Sequence, residues 1–242
     1  MDLPATLGRR KGAPHLADLR HGAITFIGTA TTLIQYAGFT ILTDPNFLHQ
    51  GDTIDLGLGQ QATRLTNPAT ELEDLPPVDL VVLSHLHPDH FDRVTEQRLD
   101  RRMPIFTPPA AAHALRRKGF GAAVGLPTWH SQAFASGDIT LRLTALPGRH
   151  APPLANVIMP PVMGTLLEFE RRHDERLFRI YLSGDTLLFD QLAEIPRRYP
   201  DLDLALLHLG GARVLGLLAT MDAAQGVRML DLLAPREAIP IH

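Results

Sequence analysis

The 242-residue sequence contains no cysteine, and that absence excludes several chemistries at once. Disulfide bonds, thiolate zinc sites, iron–sulfur ligation and cysteine nucleophiles all need the missing sulfur. A chain of this kind fits a reducing compartment. Long apolar runs are also missing: no segment reaches the roughly 18 unbroken apolar residues of a membrane-spanning helix. The basic pair Arg9-Arg10 has no apolar run behind it, so no secretory leader is expected. A soluble, cytoplasmic protein without a membrane span is the simplest expectation. Charge of one sign is scarce too, since 23 Lys and Arg stand against 26 Asp and Glu, a formal charge of -3. Without a basic excess, no nucleic-acid partner is expected.

What is present is an apolar content of 45% on a chain long enough for one generous domain. Residues 1–21 are polar and marked by proline and glycine, and read as an N-terminal arm. Residues 22–242 read as a single domain. Short apolar or alternating runs at 23–27, 32–36 and 40–42 predict a β-meander. Residues 45–77 have little periodicity and predict a long loop with a short helix at 69–75. The Val- and Leu-rich run 78–83 predicts a buried strand. Helices are predicted at 91–99, 110–118, 187–195 and 223–233. Further strands are predicted at 103–106, 139–144, 164–170, 177–182, 204–207 and 238–241. That mixed order, without repeats, predicts an α/β fold with sheet inside and helices outside.

The predicted strand 78–83 runs directly into Ser84-His85-Leu86-His87-Pro88-Asp89-His90. In extended chain, residues two apart point to the same side, so His85 and His87 can share one metal. Pro88 redirects the chain, and Asp89 and His90 can then face a second metal beside the first. Neutral imidazole nitrogen and carboxylate oxygen suit zinc, iron or manganese. Composition alone produces such a run in roughly a few chains per thousand. Four groups do not complete two coordination spheres. Candidates at predicted strand ends are His150, the aspartate of Ser183-Gly184-Asp185-Thr186, and His242. A carboxylate such as Asp185 can bridge two cations roughly 3.5–4 Å apart. Spacing does not by itself select these three from the other His and Asp residues.

Taken together, these segments resemble the metallo-β-lactamase superfamily, in the branch containing ascorbate-phosphate lactonase and N-acyl-phosphatidylethanolamine phospholipase D. The likeness is carried by Ile27-Gly28-Thr29-Ala30-Thr31-Thr32-Leu33-Ile34, by Leu42-Thr43-Asp44-Pro45, and by the histidine run with its extension to Asp92. Ser183-Gly184-Asp185-Thr186, residues 204–211 and Ile239-Pro240-Ile241-His242 continue it to the end of the chain. The resemblance implies a four-layer αββα sandwich with the metals at one edge of the two sheets. It implies two divalent ions, zinc or manganese. His85, His87 and His150 would hold the first, Asp89, His90 and His242 the second, and Asp185 would bridge. A hydroxide bound by both metals would be the nucleophile. Asp89 would also orient the water or handle its proton, and Asp44 would buttress a histidine from outside the ligand set. The sequence departs from its relatives in stopping at His242, where they usually continue. It also carries Thr220, not histidine, before Met221-Asp222, which lessens support for a lipid substrate.

The expected function is hydrolysis of a small phosphorylated or lactone-like metabolite. Alternatives are phosphodiester cleavage of nucleic acid or lipid, iron-dependent redox chemistry, and a metal-stabilised binding module without catalysis. The expected partner is a small anionic molecule; association into a homo-oligomer stays open. Three loops, 46–64, 151–163 and 210–221, leave the predicted strand ends and should surround the site. Pro152-Pro153 and Pro160-Pro161 flank Leu154, Val157, Ile158 and Met159, which predicts a stiff apolar wall. Arg213 offers a cation to an anionic group, and His208 ends a buried-looking strand close enough to touch substrate.

Overall fold

A computed structural model describes residues 5–6, 19–57, 60–152, 159–171, 175–214 and 216–242. A two-residue strand, β1 (Ala5–Thr6), precedes the meander β2 (Ala23–Gly28), β3 (Thr31–Tyr36) and β4 (Phe39–Thr43). A separate antiparallel hairpin follows, β5 (Thr53–Gly57) with β6 (Gln60–Thr63). The parallel strands β7 (Leu80–Val82), β8 (Ile105–Thr107) and β9 (Ala123–Gly125) then extend the meander into a sheet ordered β2-β3-β4-β7-β8-β9. The second sheet contains β10 (Ser131–Ser136), β11 (Ile139–Pro147), β12 (Met163–Arg171), β13 (Glu175–Leu182) and β14 (Leu204–His208). A small hairpin, β15 (Arg213–Val214) with β16 (Leu217–Leu218), precedes its last strand, β17 (Glu237–Ile241). The order of the second sheet is β1-β10-β11-β12-β13-β14-β17.

The period-2 alternation of these strands builds the layers. On β7, Leu80 and Val82 face the core between the sheets, while Val81 turns to the opposite side. On β14, Leu204 and Leu206 enter the inter-sheet core, while Ala205 and Leu207 face outward under helices. Helices α1 (Arg93–Arg98) and α2 (Pro109–Arg117) cover the first sheet, with Ala112 and Leu115 in its outer core. Helices α3 (Glu194–Arg198) and α4 (Ala223–Leu233) cover the second through Ile195, Met229 and Leu233. The result is the four-layer αββα sandwich. Each fully buried Leu or Ile in it contributes about 1.5–3 kcal/mol of transfer free energy. Asp92 caps α1 by accepting from Thr95 N–H, and Asp222 caps α4 by accepting from Gln225 N–H.

Several local expectations change. Residues 69–75 form bends and turns, not a helix. They lie between Pro68 and Pro76, and Pro76 biases the residue before it away from the helical region. Leu72 and Leu75 nonetheless pack on the core under α1 and α2. The preceding loop holds the hairpin β5–β6, which was not expected. The helix expected at 187–195 is instead a 3-10 turn, Asp190–Ala193, leading into α3. Strands β9 and β10 are additions, since Ala123–Gly125 and Ser131–Ser136 carry little apolar signal. From the arm expected over residues 1–21, Ala5–Thr6 pair in parallel with β10, and residues 7–18 lie outside the described residues.

Candidate metal centre

One edge of the sandwich collects the C-terminal ends of strands from both sheets. Asp44 follows β4, Ser84 and His85 follow β7, and Asp185 follows β13, while His208 ends β14 and His242 follows β17. His150 arrives from the end of β11. Rigid strands thus fix the positions, and the loops leaving them carry the donors. Gly184 lets the two sheets meet here: its φ is +60°, and a Cβ on it would lie 2.8 Å from Ser84 Cβ. No other residue fits that approach without displacing backbone.

The first cluster is His85, His87 and His150, and each presents a nitrogen within 4.8 Å of the others. Nε2 of His85 and Nε2 of His150 each lie 3.0 Å from Nδ1 of His87. Their protons can be assigned from their outer partners. His150 Nδ1 lies 2.8 Å from the carbonyl oxygen of Ala219, which can only accept, so Nδ1 carries the proton and Nε2 of the neutral ring is bare. Ser84 Oγ gives its single proton to Asp44 Oδ1 at 2.9 Å, so it accepts from His85 Nδ1 at 3.0 Å. The Nε2 of His85 is therefore bare as well. Two bare lone pairs face one nitrogen; a proton on His87 Nδ1 can serve only one of them, whereas a cation serves all three.

The second cluster is Asp89, His90, Asp185 and His242. Asp185 reaches His90 Nε2 through Oδ2 at 3.3 Å and His242 Nε2 through Oδ1 at 3.6 Å. Asp89 Oδ2 lies 3.9 Å from His90 Nε2 and 3.7 Å from His242 Nε2. These are ion-pair distances without hydrogen-bond geometry: His90 Nε2, His242 Nε2, Asp89 Oδ1 and Asp185 Oδ1 are buried and have no hydrogen-bond partner. Native proteins rarely leave such atoms unpaired. Unpaired imidazole nitrogens and carboxylate oxygens converging at spacings wider than a hydrogen bond fit a divalent cation. The residues present therefore fit metals at both clusters. Asp185 groups with the second cluster by ligand-atom distance, not with the histidine trio.

A third group, Asp44, His90 and His208, lies against the second. Asp44 is 3% exposed and has a φ of 38°, a costly conformation for a side-chain-bearing residue. Its Oδ1 accepts from Ser84 N–H at 2.7 Å and from Ser84 Oγ, and lies 3.4 Å from His90 Nδ1. Asp44 thus orients His90 from behind. His208 was expected to touch substrate; it is 2% exposed instead, with Nδ1 on Ser183 Oγ at 3.1 Å and Nε2 3.6 Å from Asp44. Its ring stacks at 5.8 Å on His90, so it supports the donors from within the protein.

The electrostatics separate the histidines. Burial and the neighbouring His90 charge push His85 well below the ordinary imidazole value, and burial with His150 pushes His87 down to about 4. For His90, burial opposes the charged form, but Asp185, Asp44 and Asp89 outweigh it and raise the pKa well above normal. His242 is raised for the same reason, burial being overcome by Asp185 and Asp89. Burial would raise Asp44, yet His90 and His208 hold it down at about 2. Asp185 is likewise held well below its usual range by His242 and His90 despite burial.

A cavity of about 390 Å³ opens against Asp89 and His242, with Asn46, Leu48, Ile54 and Arg64 on its walls. The first expected loop, 46–64, thus does face the cluster. Asn46 also ties that loop to the site, donating from Nδ2 to the Asp89 carbonyl at 2.9 Å. Sequence reading missed Asn46, Arg64 and the Ala219 carbonyl, because no spacing rule singles them out. Of the apolar wall expected from the second loop, Leu154, Val157 and Ile158 lie outside the described residues. Arg213 is exposed on the β15–β16 hairpin, donates to the Gly216 carbonyl at 3.1 Å, and does not line this cavity.

Comparison with known proteins gives a consistent picture. The model of the beta-lactamase superfamily domain matches residues 39–242. A metal-dependent hydrolase of Cupriavidus necator is 29% identical, across 77% of this chain and 72% of its own length. An N-acyl-phosphatidylethanolamine-hydrolyzing phospholipase D of Caenorhabditis elegans is 26% identical over 90% of this chain and 62% of its own length. Among solved structures, an isothiocyanate hydrolase from gut bacteria of Delia radicum superposes with a TM-score of 0.72. It is 26% identical, and the match covers 90% of this chain and 84% of that one.

Proposed function

The chain belongs to the metallo-β-lactamase superfamily, and from that membership we propose that it is a metal-dependent hydrolase of a small phosphorylated or lactone-like metabolite. The observation that carries this reading is the convergence of seven His and Asp side chains into two adjoining clusters: a histidine trio whose inward nitrogens crowd one another, and a His and Asp group with buried inward atoms that lack hydrogen-bond partners. His85, His87 and His150 would hold one divalent ion; Asp89, His90 and His242 would hold another, with Asp185 shared between them. Zinc and manganese both suit the imidazole and carboxylate donors. Metals so placed supply a water nucleophile at neutral pH and stabilise charge on the attacked group.

The protein's own groups would do the rest. Ser84 holds His85 and the Ala219 carbonyl holds His150 with the inward nitrogen bare, and Asp44 orients His90 from behind. Asp89, partly exposed at the cavity wall, would accept a proton from the attacking water. The cavity volume sits at the small end of the range for small-molecule pockets, in keeping with a metabolite. Similarity to a hydrolase of isothiocyanates is in keeping with attack on a small electrophile.

A second reading, phosphodiester cleavage, draws on the similarity to the phospholipase over 90% of this chain. A panel of a lactone, a phosphomonoester, an isothiocyanate and a phosphodiester separates the two. Turnover of one of the first three, abolished by chelator and restored by zinc or manganese, is the expected result. Turnover of the phosphodiester alone would replace the first reading by the second.

A further inference from the structure

Among the described residues, the one arginine or lysine on the wall of the cavity beside Asp89 and His242 is Arg64. Arg64 follows the β5–β6 hairpin, and its backbone is fixed on both sides. Its N–H donates to the Asp52 carbonyl at 2.8 Å, and its own carbonyl accepts from Gly51 N–H at 2.9 Å. Nε donates to the Thr66 carbonyl at 3.1 Å. Nη2 is buried with no hydrogen-bond partner. It lies where a Cβ on Gly28 would come within 2.4 Å, so the guanidinium occupies a slot that only a glycine at position 28 leaves open. No carboxylate forms an ion pair with Arg64 among the described residues. The acid that influences it most is Asp92, whose two oxygens are already taken by the N–H groups of Phe47 and Thr95. Burial lowers the Arg64 pKa, and the Asp92 charge offsets that only in part.

Building an arginine this way costs free energy unless something uses its remaining donors. Leu48, Ile54, Ala62 and Leu65 make one side apolar, while Asp89 and His242 bring the cavity to the second cluster. We propose that Arg64 is the anion-recognition residue of this site, binding a carboxylate or phosphate group of a small, otherwise apolar substrate. The group to be hydrolysed would then lie towards Asp89 and His242. This assignment rests on the hydrolase reading for the reaction, but its binding half stands without it. It also relocates the cationic point from Arg213, which is exposed and bonded to Gly216. A guanidinium suits either oxyanion because its fork can donate two parallel hydrogen bonds.

The test is calorimetric titration of the protein as purified with phenylphosphonate and, separately, with benzoate. Any bound metal contributes equally to wild type and variant, so the ratio of affinities reads Arg64. Arg64→Ala should weaken at least one probe about tenfold or more. Arg64→Lys should fall between, and Arg228→Ala, on the outer helix, should stay within about twofold. If Arg64→Ala does not fold, the shorter, neutral but polar Arg64→Gln is read in its place. Unchanged binding in the Arg64 variants, or no saturable binding of either probe to wild type, overturns the proposal. Turnover of an anionic ester and its neutral counterpart separates the two readings. Lost probe binding with no turnover of either ester by wild type keeps the anion site and removes the hydrolase. Metal-dependent turnover with unchanged probe binding does the reverse.

Discussion

Asp44 Oδ1 accepts from both the N–H and the hydroxyl of Ser84, at 2.7 and 2.9 Å, and so joins the end of β4 to the start of the histidine run. The same carboxylate lies 3.4 Å from His90 Nδ1 and 3.6 Å from His208 Nε2. Asp44→Asn keeps the shape and an acceptor for Ser84 but removes the charge that orients His90. Metal affinity should fall about 10–100-fold with the fold retained, as for other lost outer partners of ligating histidines. Competition against a chelating dye measures it, and an unchanged affinity would show that Asp44 only serves the backbone.

Asp89→Asn tests the opposite face of the second cluster, where the side chain is partly exposed to the cavity. The substitution weakens a ligand and removes a proton acceptor while altering no buried packing. Turnover should drop on the order of a hundredfold or more, with the fold retained. Full activity in a metal-replete preparation would remove Asp89 from the mechanism.

Much of this arrangement was legible in the sequence for a physical reason. The run from His85 to His90 is local, so two-residue alternation and the Pro88 turn suffice to place its side chains on one edge. His150, Asp185 and His242 lie far apart in the chain, and only the sheet order β11-β12-β13-β14-β17 brings them together; family likeness, not spacing, selected them. For His208 the sequence context gives its nearness to the site but not the side from which it approaches. Arg64 was invisible because its role depends on the empty α-carbon face of Gly28, a contact between residues 36 apart in the chain. The helix expected at 69–75 failed on the prolines that bound it.

The histidine shifts make the stability of the metal-free protein depend on pH in a specific way. Burial depresses His85, His87 and His208 in the folded state, His87 to about 4. As pH falls below about 6.5, the unfolded chain takes up protons that these rings refuse, and stability declines. His90 and His242 are shifted the other way; the stability they contribute is fully present below about 6.5 and is lost as pH rises through their raised folded values. Urea midpoints of chelator-treated protein should therefore peak near pH 6.5 and fall on both sides. Metal loading should remove the alkaline decline, because the ligands must be deprotonated to bind. A metal-free midpoint that climbs steadily to pH 9 would contradict the assigned directions.

The central claim is that two adjoining clusters of this chain hold two divalent ions that hydrolysis requires. Stripped protein titrated with zinc or manganese, with turnover of a responsive lactone or phosphomonoester followed per equivalent added, tests it most directly. The account predicts negligible turnover without metal and a rise that levels off near two equivalents per chain. Full turnover in the stripped protein, or a plateau at one equivalent, would contradict it.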